Sequence, residues 1–280
     1  MSTSDPRCLW LPLLRRPLPQ RRSQPNSDQI GISDCDLTSR FRRFSEIANT
    51  FERVRALHGD CNRTDFLHVN PRAEVPALVD GDFSLYDSTI ICEYLDRYPE
   101  PPLYPRDSRL RAECRLIEDL ADTQLDAGTF AVAIVELGRR ESPAALHDTA
   151  GRDLERLYNE LEQRLARGPF FCGNFSLADI AVAPHVMAAA FLGFPLDDTR
   201  HPRLSRWMKR VQERPSIARD NADVVETLQR LQAEGQPGFD PYRVQWRSDR
   251  LEWVIKNGLA DWFAEEMRAG RVFLPVTVAH

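Results

Sequence analysis

The sequence predicts a two-part protein, with an α/β domain followed by an all-α domain. Strand and helix patterns alternate over residues 29–100, whereas the apolar period over 106–221 is helical almost everywhere. A proline-rich joint at residues 99–105 separates the two patterns. With 280 residues, the chain is long enough to bury the cores of two ordinary domains. Residues 222–280 are expected to form a helical extension.

The composition is that of a soluble globular protein and excludes several classes of partner. Hydrophobic residues make up 42% of the chain and charged residues 28%, and the net charge of -5 offers no basic face for nucleic acid. No apolar run approaches the roughly 18 residues of a membrane-spanning helix. The 6 cysteines lack the spacing of a metal site or a disulfide framework. We therefore expect no nucleic acid, membrane or metal partner, and reduced thiols in a cytoplasmic protein.

Residues 1–28 are expected to be disordered or irregular. Prolines alternate with arginines between Arg15 and Pro25, and no apolar period continues through them. The arginine-rich, acid-poor composition also fits an organellar transit segment, and a misassigned start would give the same pattern. The apolar stretch Leu9–Leu14 is too short for the centre of a secretory signal peptide.

The first domain begins with a predicted strand, helix and strand. Gln29–Ser33 is predicted as a short strand, and Phe51–Leu57 as a second one with imperfect alternation. Between them, Thr38–Asn49 carries apolar residues at the spacing of one helix face.

A hairpin and a helix then complete this domain. Val75–Asp80 and Phe83–Tyr86 are predicted strands, because Gly81-Asp82 between them has turn chemistry. Asp87 or Ser88 is expected to cap a helix that ends before Pro99. Two strands followed by a helix, in this order, form the last part of a thioredoxin-like domain.

The helical domain contains a capping box and several amphipathic patterns. Ser176-Leu-Ala-Asp179 is the box, and the apolar residues 180–192 behind it are expected to form a buried helix. A leucine-rich stripe predicts one helix over 154–165, and His201–Arg214 predicts another. The aromatic residues of the extension are expected to pack against these helices rather than to form a substrate lid.

Two separated motifs resemble the glutathione S-transferase family. The stretch from Asn70 to Leu95 is similar to the third strand, hairpin and third helix of cytosolic-type members, and the stretch from Phe170 to Ile180 is similar to the capping-box helix of their second domain. The resemblance implies a thioredoxin-like domain followed by an all-α domain. It also implies glutathione as co-substrate and a homodimer that pairs the first domain of one subunit with the helices of the other.

The resemblance implies a glutathione site formed by Glu74, Val75, Pro76, Asp87 and Ser88. In the family the peptide bond before the proline is cis, which turns the backbone at Val75 towards the cysteinyl main chain of glutathione. Ser88 would hold the γ-glutamyl carboxylate at a helix N-terminus, where free amides favour an anion, and Asp87 would face the amino group. Simple capping by Asp87 is compatible with both roles.

Several residues are candidates for activating the glutathione thiol. Aligning Arg40-Phe41-Arg42 with the family's first helix places Cys35 at the nucleophile position and Thr38 one turn later. The acidic neighbours of Cys35 would raise its pKa rather than lower it. Ser33, Thr38 or Ser39 as a hydroxyl donor therefore stays an alternative, as does the absence of any competent residue.

The expected function is that of an enzyme in which the glutathione thiolate attacks a small electrophile or exchanges with a disulfide. A cysteine at the site favours thiol exchange or reduction, whereas a hydroxyl favours conjugation, ether cleavage or dehalogenation. The alternative is a non-catalytic binding or assembly module of the same architecture. The glutathione-binding residues favour the enzyme, because a scaffold gains nothing from them.

Overall fold

The computed structural model describes residues 30–34, 52–55, 64–72, 76–80, 82–96, 102–138, 140–235 and 244–273. Predicted helix Thr38–Asn49 lies outside these residues, as do the predicted irregular segment 1–28 and the thiol-activating candidates Cys35, Thr38 and Ser39. The predicted domain boundaries stay predictions.

A four-stranded mixed sheet forms the first part of the molecule, with strand order β2-β1-β3-β4. Strand β1 (Ile30–Asp34) is parallel to β2 (Glu52–Arg55) and antiparallel to β3 (Ala77–Asp80). Strand β4 (Phe83–Tyr86) completes the hairpin. All four predicted strands are therefore present, with ends shifted by one or two residues; β3 begins at Ala77, after Pro76.

Two short helices accompany the sheet. Helix α1 (Thr64–Val69) precedes the hairpin and leaves His68 exposed. Helix α2 (Ser88–Leu95) follows β4 directly. Its buried side chains pack on β3 through Leu78, so a single apolar surface joins helix and sheet.

The helical region begins with three consecutive helical segments that follow one another without a loop. Helix α3 (Ser108–Leu120) starts at Asp107, whose carboxylate accepts from the amides of Arg109 and Leu110 at 3.0 Å. It continues through a π-helical segment (Ala121–Leu125) into helix α4 (Asp126–Glu136). The π-helical turn was not predicted, because its wider hydrogen-bonding ring has no signature in the apolar period.

Four further helices complete the core. They are α5 (Leu146–Arg164), α6 (Leu177–Phe191), α7 (Pro202–Gln212) and α8 (Pro215–Ala233). Helix α6 is buried, as its apolar sequence predicts, and the capping box at its start is confirmed, with the Ser176 amide donating to Asp179 at 2.9 Å. Helix α8 continues across the predicted boundary between 221 and 222.

The extension forms two helices and two very short strands. Helices α9 (Ser248–Lys256) and α10 (Ala260–Arg268) are separated at Gly258, whose φ of 73° is available to glycine without strain. Strand β5 (Val244–Gln245) pairs in parallel with β6 (Val272–Phe273). These strands were not predicted, since two residues are too few to show a period.

Two apolar clusters organise the described residues. The larger joins the first part of the molecule, through Ile91 and Leu95, to helices α3 and α5–α7. The smaller joins α4 to the extension, where Trp246, Trp253 and Val254 are buried. The aromatic residues of the extension therefore pack against the helical region, as predicted. Among the described residues, no helix has both the length and the apolar character needed to cross a bilayer.

Candidate functional site

The start of helix α2 is the most unusual piece of backbone in the described residues. Asp87 has a φ of 80°, and it is the non-glycine residue with positive φ among those the structure describes. Its Oδ1 accepts hydrogen bonds from the amides of Thr89 at 3.0 Å and Ile90 at 3.3 Å. Left-handed backbone at such a residue costs free energy, and strain of this kind concentrates at functional sites. Of the two cap candidates in the sequence, Asp87 and Ser88, Asp87 is the helix cap.

The hairpin brings the predicted binding residues together. Ala77 pairs with Tyr86 in this antiparallel hairpin, so Pro76, just before β3, and Asp87, just after β4, lie at the same end of the hairpin. Pro76 and Ser88 are both buried. Glu74 and Val75, and the geometry of the bond before Pro76, lie outside the described residues. The binding roles of these residues stay predictions.

A cleft of about 610 Å³ opens at the start of α2. Three parts of the chain line it. Residues Arg72, Asp87, Ser88 and Thr89 come from the first part of the molecule, residues Arg115, Glu118, Asp119, Asp122 and Thr123 from α3 and the π-helical segment, and residues Trp246, Arg247, Ser248 and Asp249 from the extension. The volume lies in the range of small-molecule sites.

Polar contacts connect α2 to α3 across the base of this cleft. The Thr89 hydroxyl donates to Glu118 Oε1 at 3.2 Å, and the Tyr104 hydroxyl donates to Glu118 Oε2 at 2.7 Å. Arg115 donates to the Tyr104 hydroxyl at 2.8 Å. Burial, followed by the Glu118 carboxylate, raises the pKa of Tyr104, so this phenol stays protonated and donates. The network fixes the first part of the molecule against the helical region at the site.

The cleft residues of the helical region and the extension were missed by sequence reasoning. Glu118 is 29 positions from Thr89, and Arg247 is 125 positions from Asp122, whose main-chain carbonyl it contacts at 2.8 Å. No motif spacing connects residues so far apart. The predicted packing of the extension is also only part of its role. The extension packs against the helical region and in addition lines the cleft.

The remaining sequence candidates lie away from the cleft or outside the described residues. Cys92, Cys114 and Cys172 are buried free thiols. The thiols of Cys114 and Cys172 share a hydrogen bond, which raises the pKa of Cys114 and lowers that of Cys172. His185 is buried in α6. Ser33 belongs to β1, and the structure describes only its backbone.

Comparison with known proteins identifies both parts of the chain. The model of the glutathione S-transferase N-terminal domain matches residues 32–102, and that of the C-terminal domain matches residues 144–210. Glutathione S-transferase Z2 of Arabidopsis thaliana is 32% identical over 59% of this chain and 75% of its own length. A stringent starvation protein A homolog of Haemophilus ducreyi is 30% identical over 55% of this chain and 70% of its own length.

Solved structures agree on the fold. Glutathione S-transferase-I bound with lactoylglutathione aligns with a TM-score of 0.61 and 22% identity over 69% of this chain and 98% of its own. The predicted fold class, a thioredoxin-like domain followed by an all-α domain, is thereby confirmed. Two domain models in the expected order and a relative matched over 75% of its own length agree with the architecture described above. The chain belongs to the glutathione S-transferase family.

Proposed function

We propose that this protein is a glutathione transferase in which the thiolate of bound glutathione attacks a small electrophile in the cleft. The strained Asp87–Ser88 start of α2, open to that cleft, carries the proposal. Strain is kept where it serves a site, and a helix start offers amides to an anion. A solved structure of a glutathione transferase with this fold contains oxidised glutathione, which supports glutathione as the co-substrate.

The γ-glutamyl and cysteinyl parts of glutathione each have proposed partners in this arrangement. The γ-glutamyl carboxylate would accept from the Ser88 hydroxyl and amide at the positive end of the α2 dipole. Both described capping contacts of Asp87 use Oδ1, which leaves Oδ2 on the same carboxylate to face the γ-glutamyl ammonium. Glu74, Val75 and Pro76 would line the cysteinyl part, with the Val75 backbone pairing with it.

Thiol activation is proposed for Cys35, with Thr38, Ser33 or Ser39 as the hydroxyl alternative. The Cys35 thiolate would attack the disulfide between glutathione and a substrate thiol, forming a Cys35–glutathione disulfide and releasing the substrate thiolate; a second glutathione thiolate would then attack this bond, releasing oxidised glutathione and restoring the Cys35 thiolate. A hydroxyl would instead hydrogen-bond the glutathione thiolate and favour conjugation. Cys35→Ser distinguishes them, because exchange chemistry is lost if Cys35 is the nucleophile and is unchanged if it is not.

Glutathione binding should depend on Ser88 and not on an equivalent serine elsewhere. Ser108 is the matched control, since it is also the first residue of a helix capped by an aspartate, but it is exposed and lies away from the cleft. By calorimetry, Ser88→Ala should weaken glutathione binding about tenfold to a hundredfold, because it removes a hydrogen bond to a charged group. Ser108→Ala should bind as wild type. Equal affinities of the two variants would contradict the proposed site.

A non-catalytic binding or assembly module is the second candidate function. One relative of this chain favours the module, because its name, stringent starvation protein A homolog, does not describe a transferase. Turnover of a generic electrophile separates the two candidates. Glutathione binding without turnover of several electrophiles and disulfides would favour the module.

The homodimer is also proposed, on the basis of exposed apolar side chains. Phe83 in β4 and Ile90 in α2 are 48% and 51% exposed, and Leu110 and Leu116 in α3 are 38% and 52% exposed. These residues offer one apolar surface on the first part of the molecule and another on the helical region, as a dimer pairing the two would require. Light scattering should report a dimer for wild type and a monomer for Leu116→Glu. A monomeric wild type would contradict the pairing.

A further inference from the structure

Two buried cysteines lie together where α3 packs against the start of α6. Cys114 is in the middle of α3, Cys172 is in the loop before the capping box, and both belong to the larger apolar cluster. Their thiols share a hydrogen bond. Independently, Cys172 Sγ lies 3.9 Å from the main-chain carbonyl oxygen of Leu110, one turn before Cys114. Because a helical side chain covers the turn N-terminal to its own Cα, both contacts place Cys172 beside the Cys114 side chain.

The two thiols differ in exposure and in acidity. Cys172 keeps 8% of its surface exposed, whereas Cys114 keeps 0%. The hydrogen bond from Cys114 lowers the pKa of Cys172 against the opposing effect of burial, and the same hydrogen bond raises the pKa of Cys114. Cys172 is therefore the more accessible and the more acidic thiol, and Cys114 donates to it. The thiolate is the form of cysteine that peroxides oxidise, so Cys172 is the thiol that attacks first.

We propose that Cys172 and Cys114 are a peroxide-reactive pair that forms a reversible disulfide between α3 and the loop before α6. The Cys172 thiolate attacks one oxygen of hydrogen peroxide, the O–O bond breaks, and Cys172 becomes a sulfenic acid while hydroxide leaves. That hydroxide takes the Cys114 proton. The Cys114 sulfur then attacks the Cys172 sulfur and displaces a second hydroxide, which takes the proton that Cys172 released on ionising. Two thiols are thus oxidised to one disulfide, and one peroxide is reduced to two waters.

The disulfide would fix the part of α3 that forms the base of the cleft. Cys114 directly precedes Arg115 and lies one turn before Glu118, and both of these residues line the cleft. A cross-link that closes a loop of about 60 residues restricts the unfolded chain, so the oxidised protein should have a Tm about 5 °C higher than the reduced protein. Two glutathione molecules would reverse the reaction by thiol–disulfide exchange, restoring both thiols and leaving as oxidised glutathione.

Peptide mapping of the reduced full-length protein tests the pair without any substitution. The protein is treated with hydrogen peroxide, the remaining thiols are blocked with N-ethylmaleimide under denaturing conditions, and the monomer band of a non-reducing gel is digested for mass spectrometry. We expect peptides linked through Cys114 and Cys172, which dithiothreitol separates. Cys92 is the internal control, because it is equally buried in the same cluster and should be recovered as its maleimide adduct. Cys172 recovered as a sulfinic acid or a maleimide adduct, with no linked peptide, would overturn the proposal.

Alanine variants test which thiol attacks and whether the cross-link causes the stabilisation. In Cys114→Ala the sulfenic acid lacks its resolving thiol, so Cys172 should be trapped by dimedone, whereas Cys114 in Cys172→Ala should be labelled about tenfold less. Equal labelling in the two variants would contradict the role of Cys172 as the attacking thiol. The rise in Tm on peroxide treatment should persist in Cys92→Ala and be absent from both variants of the pair. A rise of the same size in Cys114→Ala would exclude the cross-link as its cause.

Discussion

Two buried aspartates secure the helical region, and they do so in different ways. Asp179, at the start of α6, accepts from neutral donors, including the Trp207 indole at 2.7 Å. Asp126, at the start of α4, lies between guanidinium groups from the extension. The first links residues 28 positions apart within the main cluster, and the second links residues 124 positions apart across the smaller one. Loss of Asp179 should therefore weaken the whole fold, whereas loss of the Asp126 contacts should release one segment.

The largest expected effect is on global stability at Asp179. Its carboxylate accepts from the Ser176 amide and hydroxyl, from the Phe171 amide and from Trp207. Asp179→Ala leaves these buried donors without their acceptor and should lower the free energy of unfolding by about 4 kcal/mol. Chemical denaturation, monitored by circular dichroism, measures this loss.

Asp107→Ala is the matched control for Asp179→Ala. It removes an aspartate that also caps a helix, but an exposed one, so it should cost only about 1 kcal/mol. Similar losses in the two variants would show that Asp179 acts as an ordinary cap, and the contrast with Asp126 would then disappear.

The next effect should be local, at the pair of Arg250 with Asp126. Arg250→Met removes one guanidinium from a buried carboxylate and should weaken docking of the extension by about 3 kcal/mol. Hydrogen exchange should therefore accelerate in α9 and α10, while α6 keeps its protection. Lys256→Met, which removes an exposed partner of Glu252, should leave exchange unchanged. Equal acceleration in α6 and α9 would contradict a segment that detaches separately.

The sequence was informative where contacts are local. Asp179 is three residues from Ser176, so the capping box was visible as a spacing, and Asp87 directly follows a strand and precedes an apolar helix face. The hairpin around Asp82 was predicted for the same reason. Local hydrogen bonds fix residue types at short separations, and these separations can be recognised in one sequence.

Contacts between distant parts of the chain were not predictable in this way. Nothing in the spacing of Asp126 and Arg250 distinguishes them from other charged residues on helix surfaces, and their pairing depends on how the extension folds back. The same is true of Thr89 and Glu118 at the base of the cleft. The side of the cleft formed by the helical region and the extension therefore needed coordinates, whereas the start of α2 did not.

The smallest expected effect is a pH dependence at Asp126. Burial alone would raise the pKa of this carboxyl, but Arg250 and Arg247 more than offset burial and hold the pKa below its usual range. Because the pKa is lower in the folded protein, ionised Asp126 contributes stability at neutral pH, and that contribution is lost as the pH falls below the unfolded value of roughly 3.9. By pH 3 the loss should be about 1 kcal/mol.

The difference in unfolding free energy between wild type and Asp126→Asn isolates this contribution, because the other carboxylates are common to both proteins. That difference should shrink between pH 7 and pH 3, whereas the difference between wild type and Glu252→Gln, an exposed change, should stay nearly constant. A constant difference for Asp126→Asn would mean that its carboxyl is not held ionised by the arginines. The extension would then be docked by its aromatic residues alone.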